Sequence, residues 1–204
     1  LEILDQIDKH FDYLIIPIGG GGLISGIITV FNKLSPKTKI IGVEASGAPA
    51  MFRSIDQKKI IELNKIDNFV DGVSIKKIGK IPFEICKEHL DDLLVIPEGK
   101  ICQTILDLYN KDGIVVEPAG AIGISAFEMY HEKFTNKNVG ILICGGNNDI
   151  IRMSEIKERA LLFSKLKHYF IVRFPQRSGA LKEFVNNVLG ENDDITFFEY
   201  VKKN

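Results

Sequence analysis

The longest apolar runs of this chain fall far short of the roughly 20 residues that a membrane-spanning helix needs. No basic flank leads into an apolar signal core at the amino terminus, so a cytoplasmic protein is the expectation. Neither charge is in excess: Lys and Arg total 26 against 27 Asp and Glu, a formal net charge of −1 with both signs interspersed. That balance leaves no basic stripe for nucleic acid and no basic amphipathic helix for a membrane surface. Small molecules and copies of the chain itself are the expected partners, with no nucleic acid and no membrane among them. Cysteine is scarce too. Cys86, Cys102 and Cys144 form no Cys-x-x-Cys pair, and His10, His89, His131 and His168 do not fall at metal-ligand spacing with them, which argues against structural zinc and a disulfide framework.

What the chain does have is glycine where structure alone has little use for it. Gly19, Gly20, Gly21 and Gly22 stand between the apolar run 13–18 and an apolar helical pattern beginning at Leu23. Consecutive glycines let several backbone N–H groups turn inward as a nest, and the helix that follows adds the positive end of its dipole. The loop reads as an anion cradle, with a flexible glycine turn that binds nothing as the alternative. Two familiar glycine signatures do not fit it. A dinucleotide fingerprint counted from Gly19 ends on Ile24, and counted from Gly20 on Ser25; a nucleotide P-loop needs a lysine, and none follows before Lys33.

At 204 residues and 45% apolar content the chain can bury a core, as one large domain or one domain plus a smaller one. Strand patterns at 13–18, 39–44, 93–96 and 139–144 alternate with helix patterns at 23–34, 48–55, 82–90, 100–110, 118–131 and 150–165, and residues 1–7 also read as helical. This alternation predicts an α/β fold with an open, mostly parallel sheet and helices on both faces. Pro49 and Pro118 suit a first helical turn, and Gly113 suits a left-handed cap. Residues 61–80 read as a surface excursion. After residue 165 the pattern changes to strand at 169–174, helix at 179–189 and strand at 195–201, an α+β unit too small to bury its own face. The expected division is 1–165 and 166–204.

In an open α/β sheet ligands sit beyond the carboxyl ends of the strands, which gives weight to two further loops. Glu117-Pro118-Ala119-Gly120-Ala121 opens a helix with a carboxylate and small residues; read alone, it is a plain helix start. Cys144-Gly145-Gly146-Asn147 ends an apolar strand with a thiol and two glycines. Cys144 alone would pass for a core residue, and the glycines beside it favour close ligand approach.

A phosphate cradle, a small hydrogen-bonding side chain at another strand end and no nucleotide fingerprint together describe a cofactor with one phosphate and a heteroaromatic ring. The combination resembles the fold-type II pyridoxal phosphate enzymes, the tryptophan-synthase-β-like group. The resemblance implies that Gly19, Gly20, Gly21, Gly22 and Leu23 bind the phosphate of pyridoxal 5'-phosphate, that Cys144 meets the pyridine nitrogen, and that Glu117 supports the pocket. Within the group the chain is most similar to the threonine dehydratases, through Asp71-Gly72-Val73, Leu90-Asp91-Asp92, 117–121 and 144–147. Residues 174–181 and 192–200 look like the start of that family's ACT-like regulatory domain, with Ser178 where the motif usually has proline. The resemblance implies conversion of threonine to 2-oxobutanoate and ammonia in isoleucine biosynthesis, feedback by isoleucine with valine as antagonist, and a homotetramer or dimer.

The family's cofactor-bearing lysine lies in a Ser-Phe-Lys-x-Arg type of motif, and no lysine here has that context. Both it and the partner asparagine loop are expected upstream of Leu1, so no catalytic residue is assigned and the chain as given is expected to be catalytically incomplete. In relatives that bind a divalent cation the ligand set would fall on Glu44, Ala48 and Ala50. Ala50 has no side-chain oxygen, and no metal is expected there. Two other readings share these loops: a serine dehydratase or racemase, and a non-catalytic amino-acid sensor. A dinucleotide-binding dehydrogenase, with Glu44 as its ribose ligand, is disfavoured by the glycine spacing.

Overall fold

The computed structural model describes residues 1–7 and 10–201. Two compact units divide the chain, residues 1–167 and 168–204. The first holds a sheet of four parallel strands in the order β3-β2-β1-β4, made by β1 (Tyr13–Pro17), β2 (Lys39–Ala45), β3 (Asp92–Ile96) and β4 (Val139–Ile141). Each crossover carries helix: α2 (Gly22–Leu34) follows β1, α3 (Ala50–Asp56) and α4 (Lys80–His89) follow β2, and α5 (Glu98–Asp107) and α6 (Pro118–Met129) follow β3. A short α1 (Glu2–Gln6) precedes the sheet and α7 (Met153–Phe163) follows it.

The period-2 alternation of the strands sorts their side chains into two cores. Leu14, Ile16, Ile18 and Ile40 pack with Ile24, Ile28, Phe31, Met51 and Phe83 from α2, α3 and α4. Ile15, Ile41, Val43, Leu94 and Ile96 face the other way, onto Ile101, Ile105, Ile122 and Ile156 of α5, α6 and α7. Each such isoleucine contributes about 1.5–3 kcal/mol by leaving water, so a sheet covered on both faces is what these apolar strands dictate. The expected α/β architecture, a parallel sheet with helices on both faces, is what the first unit forms.

Boundaries move for local reasons. Pro118 begins α6 with Glu117 as N-cap, and Gly113 takes the left-handed cap conformation at φ 67° after a π-helical turn over Leu108–Asp112. Pro49 precedes α3 as its N-cap rather than entering its first turn. The 61–80 segment is not a surface excursion. Phe69, Val70, Val73 and Ile78 are buried in it, and they join both cores.

The second unit holds α8 (Ala180–Val188), capped by Gly179 at φ 83°. Phe174 meets Phe184 edge-on at 5.3 Å, and Arg177 pairs with Glu183. The strands expected at 169–174 and 195–201 are not formed among the described residues. Their alternating apolar pattern is real, and Ile171 and Phe197 are exposed. A strand lasts only when a neighbour takes its N–H and C=O groups, and a single βαβ unit has too little sheet to hold itself together.

Candidate functional site

The strand order places β4 on one side of β1 and β2 on the other, so chain direction across the sheet reverses at β1. Beyond the carboxyl ends of β1 and β4 lies the crevice where such sheets take ligands. The glycine loop leaves β1 here, and Cys144, Gly145 and Gly146 leave β4 after Leu142 N–H donates to the Ile15 carbonyl at 3.0 Å. The glycine loop and the Cys144 turn thus leave neighbouring strands at the same end of the sheet, and Gly72 lies between them, its carbonyl 3.5 Å from a would-be Cβ at Gly19 and its own Cβ position 3.4 Å from Glu117 Oε1.

The four glycines divide into two kinds. Gly19 and Gly21 are fixed by packing. A Cβ at Gly19 would lie 3.2 Å from Val73 Cα, and one at Gly21 would lie 2.5 Å from Pro82 Cβ and 3.2 Å from Met51 Cε. Gly21 also adopts φ 85°, a left-handed conformation that a side chain rarely takes, as the N-cap of α2. Gly20 and Gly22 have nothing within 4 Å of a would-be Cβ, so packing gives no reason for glycine at either place. Close approach of a ligand to the backbone does give one. No side chain caps α2. The N–H groups of its first turn thus have no partner inside the helix and point, with the positive end of its dipole, toward the loop. Leu23 is half exposed at 48%.

Across the crevice the packing is tighter. Glu117 N–H donates to the Gly145 carbonyl at 3.2 Å, and the Cys144 thiol lies 3.5 Å from the Ala119 carbonyl. A side chain at Gly145 would run into the Glu117 carboxylate, and one at Gly120 into the Gly145 carbonyl. Gly72 closes the ring, its Cβ position 3.4 Å from Glu117 Oε1. Burial pushes the exposed Cys144 thiol up from its ordinary pKa, and the nearby Glu117 carboxylate pushes it the same way against a hydrogen bond from its own backbone. The thiol therefore stays protonated and neutral at physiological pH. Asn148 Oδ1, at the end of the same loop, is buried without a hydrogen-bond partner.

Other residues at the site carry little signal in the sequence. Two guanidinium groups lie over the Phe69 ring, Arg159 at 4.3 Å and Arg152 at 5.0 Å from its centroid, while Arg152 donates to its carbonyl. Arg159 also donates to Asp67 at 2.9 Å. Burial raises the Asp67 carboxyl, but hydrogen bonds from Arg159 and the Phe69 N–H, with the Arg159 charge, hold it below the usual carboxylate range. This clamp ties α7 to the turn that presents Gly72 and Val73. Among the described residues no three of His, Cys, Asp and Glu converge as metal ligands.

Residues 1–145 match the family model described as pyridoxal-phosphate dependent enzyme. The chain belongs to this family. A second model, the C-terminal regulatory domain of threonine dehydratase, matches residues 158–204. This pyridoxal-phosphate enzyme chain is 57% identical, over 204 residues, to the biosynthetic L-threonine dehydratase of Halalkalibacterium halodurans, covering 100% of itself and 49% of that protein. It is 55% identical to the namesake from Staphylococcus epidermidis, at 99% and 49% coverage. The chain thus spans about half the length of the curated relatives it matches. Among solved structures, the processed threonine deaminase isoform 2 of Solanum lycopersicum superposes with a TM-score of 0.73 at 34% identity, over 78% of this chain and 47% of the other. Serine racemase of Dictyostelium discoideum gives 0.64 at 30% identity, over 73% and 48%.

The residues present fit the family's cofactor. A glycine cradle open at two Cβ positions and facing an uncapped helix suits a phosphate, and a neutral thiol at the neighbouring strand end suits an unprotonated ring nitrogen.

Proposed function

We propose that residues 1–165 carry the phosphate and ring-nitrogen side of the active site of a pyridoxal phosphate-dependent threonine dehydratase, forming 2-oxobutanoate and ammonia, and that residues 166–204 begin its regulatory domain. The open Cβ positions at Gly20 and Gly22, beside the uncapped start of α2, carry the reading, since packing does not account for glycine there. The first-turn N–H groups of α2 bind the phosphate. When bound, pyridoxal phosphate supplies an electron sink for the substrate's α-carbon. Cys144, whose thiol lies 3.5 Å from the Ala119 carbonyl, would turn its one S–H to the ring nitrogen and, being neutral, would leave that nitrogen without a full proton. Such a partner would temper the sink and favour elimination over transamination. Glu117 holds the Cys144–Gly146 turn against α6 and keeps the crevice walls in register. Isoleucine as inhibitor with valine as antagonist, self-association and a cytoplasmic site complete the proposal, of which the regulatory-domain match supports the presence of an effector.

The test is turnover of threonine and serine by the full-length protein reconstituted with pyridoxal phosphate, with 2-oxobutanoate and pyruvate as readouts. A clear preference for threonine, reduced by isoleucine, is expected. A preference for serine, or racemisation without ammonia release, would move the assignment to the serine enzymes whose structures this chain also resembles.

A further inference from the structure

Glu44 is buried to 1% exposure, and among the described residues no other charged side chain is buried so fully. It sits near the carboxyl end of β2, on the face covered by α3. Its Oε1 accepts the Met51 N–H at 2.8 Å and its Oε2 the Phe52 N–H at 2.7 Å. These are first-turn donors of α3, whose N-cap Pro49 offers no side-chain acceptor. The cap therefore comes from the neighbouring strand, with charge-assisted bonds from both carboxylate oxygens. Met51, held at its N–H by this carboxylate, has a fully buried side chain whose Cε lies 3.2 Å from where a Cβ at Gly21 would stand. Pro82 closes the same spot from α4 at 2.5 Å, and Gly79 N–H reaches the Gly20 carbonyl at 3.5 Å. Carboxylate, helix turn, methionine and glycine loop form one packed line, and a close-packed interior transmits a displacement along such a line.

We infer that Glu44 is a positioning residue for the glycine loop: through Met51 it holds Gly21 from behind, so that the backbone at Gly20 and Gly22 stays in the conformation that receives a phosphate. It touches no reacting atom. The inference rests on the phosphate reading of the loop, and the experiment separates the two.

Full-length apoprotein carrying Glu44→Ala, Glu44→Gln or Gly20→Ala is titrated with pyridoxal phosphate, and the bound phosphate is observed by phosphorus NMR, with unliganded thermal unfolding as the check on folding. Glu44→Ala should weaken affinity about tenfold, about 1.4 kcal/mol, in the range of one hydrogen bond to a charged group, and should shift the phosphorus resonance. Glu44→Gln, whose amide oxygen still accepts one N–H, should recover most of the affinity while leaving a smaller shift. A folded Glu44→Ala with affinity within about twofold of the parent and an unmoved resonance overturns the inference, because a merely structural cap lowers stability alone. Should Glu44→Ala not fold, Glu44→Gln decides in the same way: a shifted resonance supports the inference and an unchanged one overturns it. If Gly20→Ala weakens binding and the Glu44 variants do not, only the positioning role falls. If Gly20→Ala leaves binding unchanged, the phosphate reading falls, and the inference with it.

Discussion

Gly120→Ala sets two effects of opposite sign against each other inside one helix. In a helix interior alanine is favoured over glycine by about 0.5–1 kcal/mol, through the entropy of the unfolded chain. At position 120 the new methyl meets the backbone carbonyl oxygen of Gly145, closer than Cβ atoms pack. A backbone atom cannot rotate away as a side-chain end does, so either α6 or the 144–146 turn must move. Overpacking of this kind costs about 1–3 kcal/mol. Any displacement also lengthens the 3.2 Å bond from Glu117 N–H to the Gly145 carbonyl, worth about 0.5–1.5 kcal/mol. The losses exceed the gain, and a net destabilisation of about 1–3 kcal/mol is expected. Gly26→Ala is the internal reference: it lies in the interior of α2, is exposed, and has nothing within 4 Å of its Cβ position. There the propensity gain stands alone, so stabilisation of about 0.5–1 kcal/mol is expected. Guanidinium denaturation of both variants, read as midpoints at constant slope, makes the comparison. Equal stabilisation of the two would refute the claim that α6 and the Cys144 turn are in contact through this glycine.

Thiol chemistry and pH give two more expectations. Cys86 and Cys102 are buried, with burial pushing each thiol up to about 12, so iodoacetamide should label Cys144 alone in the native state. Because burial and Glu117 raise the Cys144 thiol as well, its rate should fall below that of glutathione at pH 7.5 and climb with pH; a rate above glutathione's would contradict the neutral thiol. Burial raises the Glu44 carboxyl from 4.5 to about 7, outweighing the N–H bonds from Met51, Phe52 and Ala50. Between those values the folded state binds the extra proton, so stability should fall as pH rises from about 4.5 to about 7, by at most about 3 kcal/mol, and level off above. Glu44→Gln should flatten that slope in urea midpoints measured from pH 5 to 8, and an unchanged slope would assign it to another group.

The sheet was legible because each of its strands is an apolar run bounded by polar punctuation, and each appears within a residue or so of its expected start. β4 closes at Ile141 rather than at residue 144, although the Leu142 N–H still donates to the Ile15 carbonyl. The glycine loop stood out by composition alone, whereas Glu117 and Cys144, which read alone as a helix start and a core residue, took their roles from the resemblance, as did the segment Asp71-Gly72-Val73. The contacts of the Phe69 clamp carried no such mark. Their role depends on residues 83 positions apart, as in the Arg152–Phe69 bond, and no local period encodes such a meeting. For the same reason 61–80 passed for surface: its buried residues are spaced by an irregular turn rather than by 2.0 or 3.6. The alternating segments 169–174 and 195–201 show the converse, a clear local pattern whose expression depends on a pairing partner.

The strand order also makes the two seams of β1 unequal. Phe11 and Thr38, at the β1–β2 side, are 27 residues apart, whereas Asp12 and Asn138, at the β1–β4 side, are 126 apart. Closing the longer loop costs about 1.3 kcal/mol more, a little over two doublings of length. Taken from the open chain, the β1–β4 pairing is the costlier of β1's two pairings to close, and the crevice straddles that seam. A ligand gripped from both sides of that seam holds the longest loop of the fold shut, and contributes RT ln(1 + [L]/Kd) to the folded state. Cofactor supply would then set the fraction of chains in which that seam stands open.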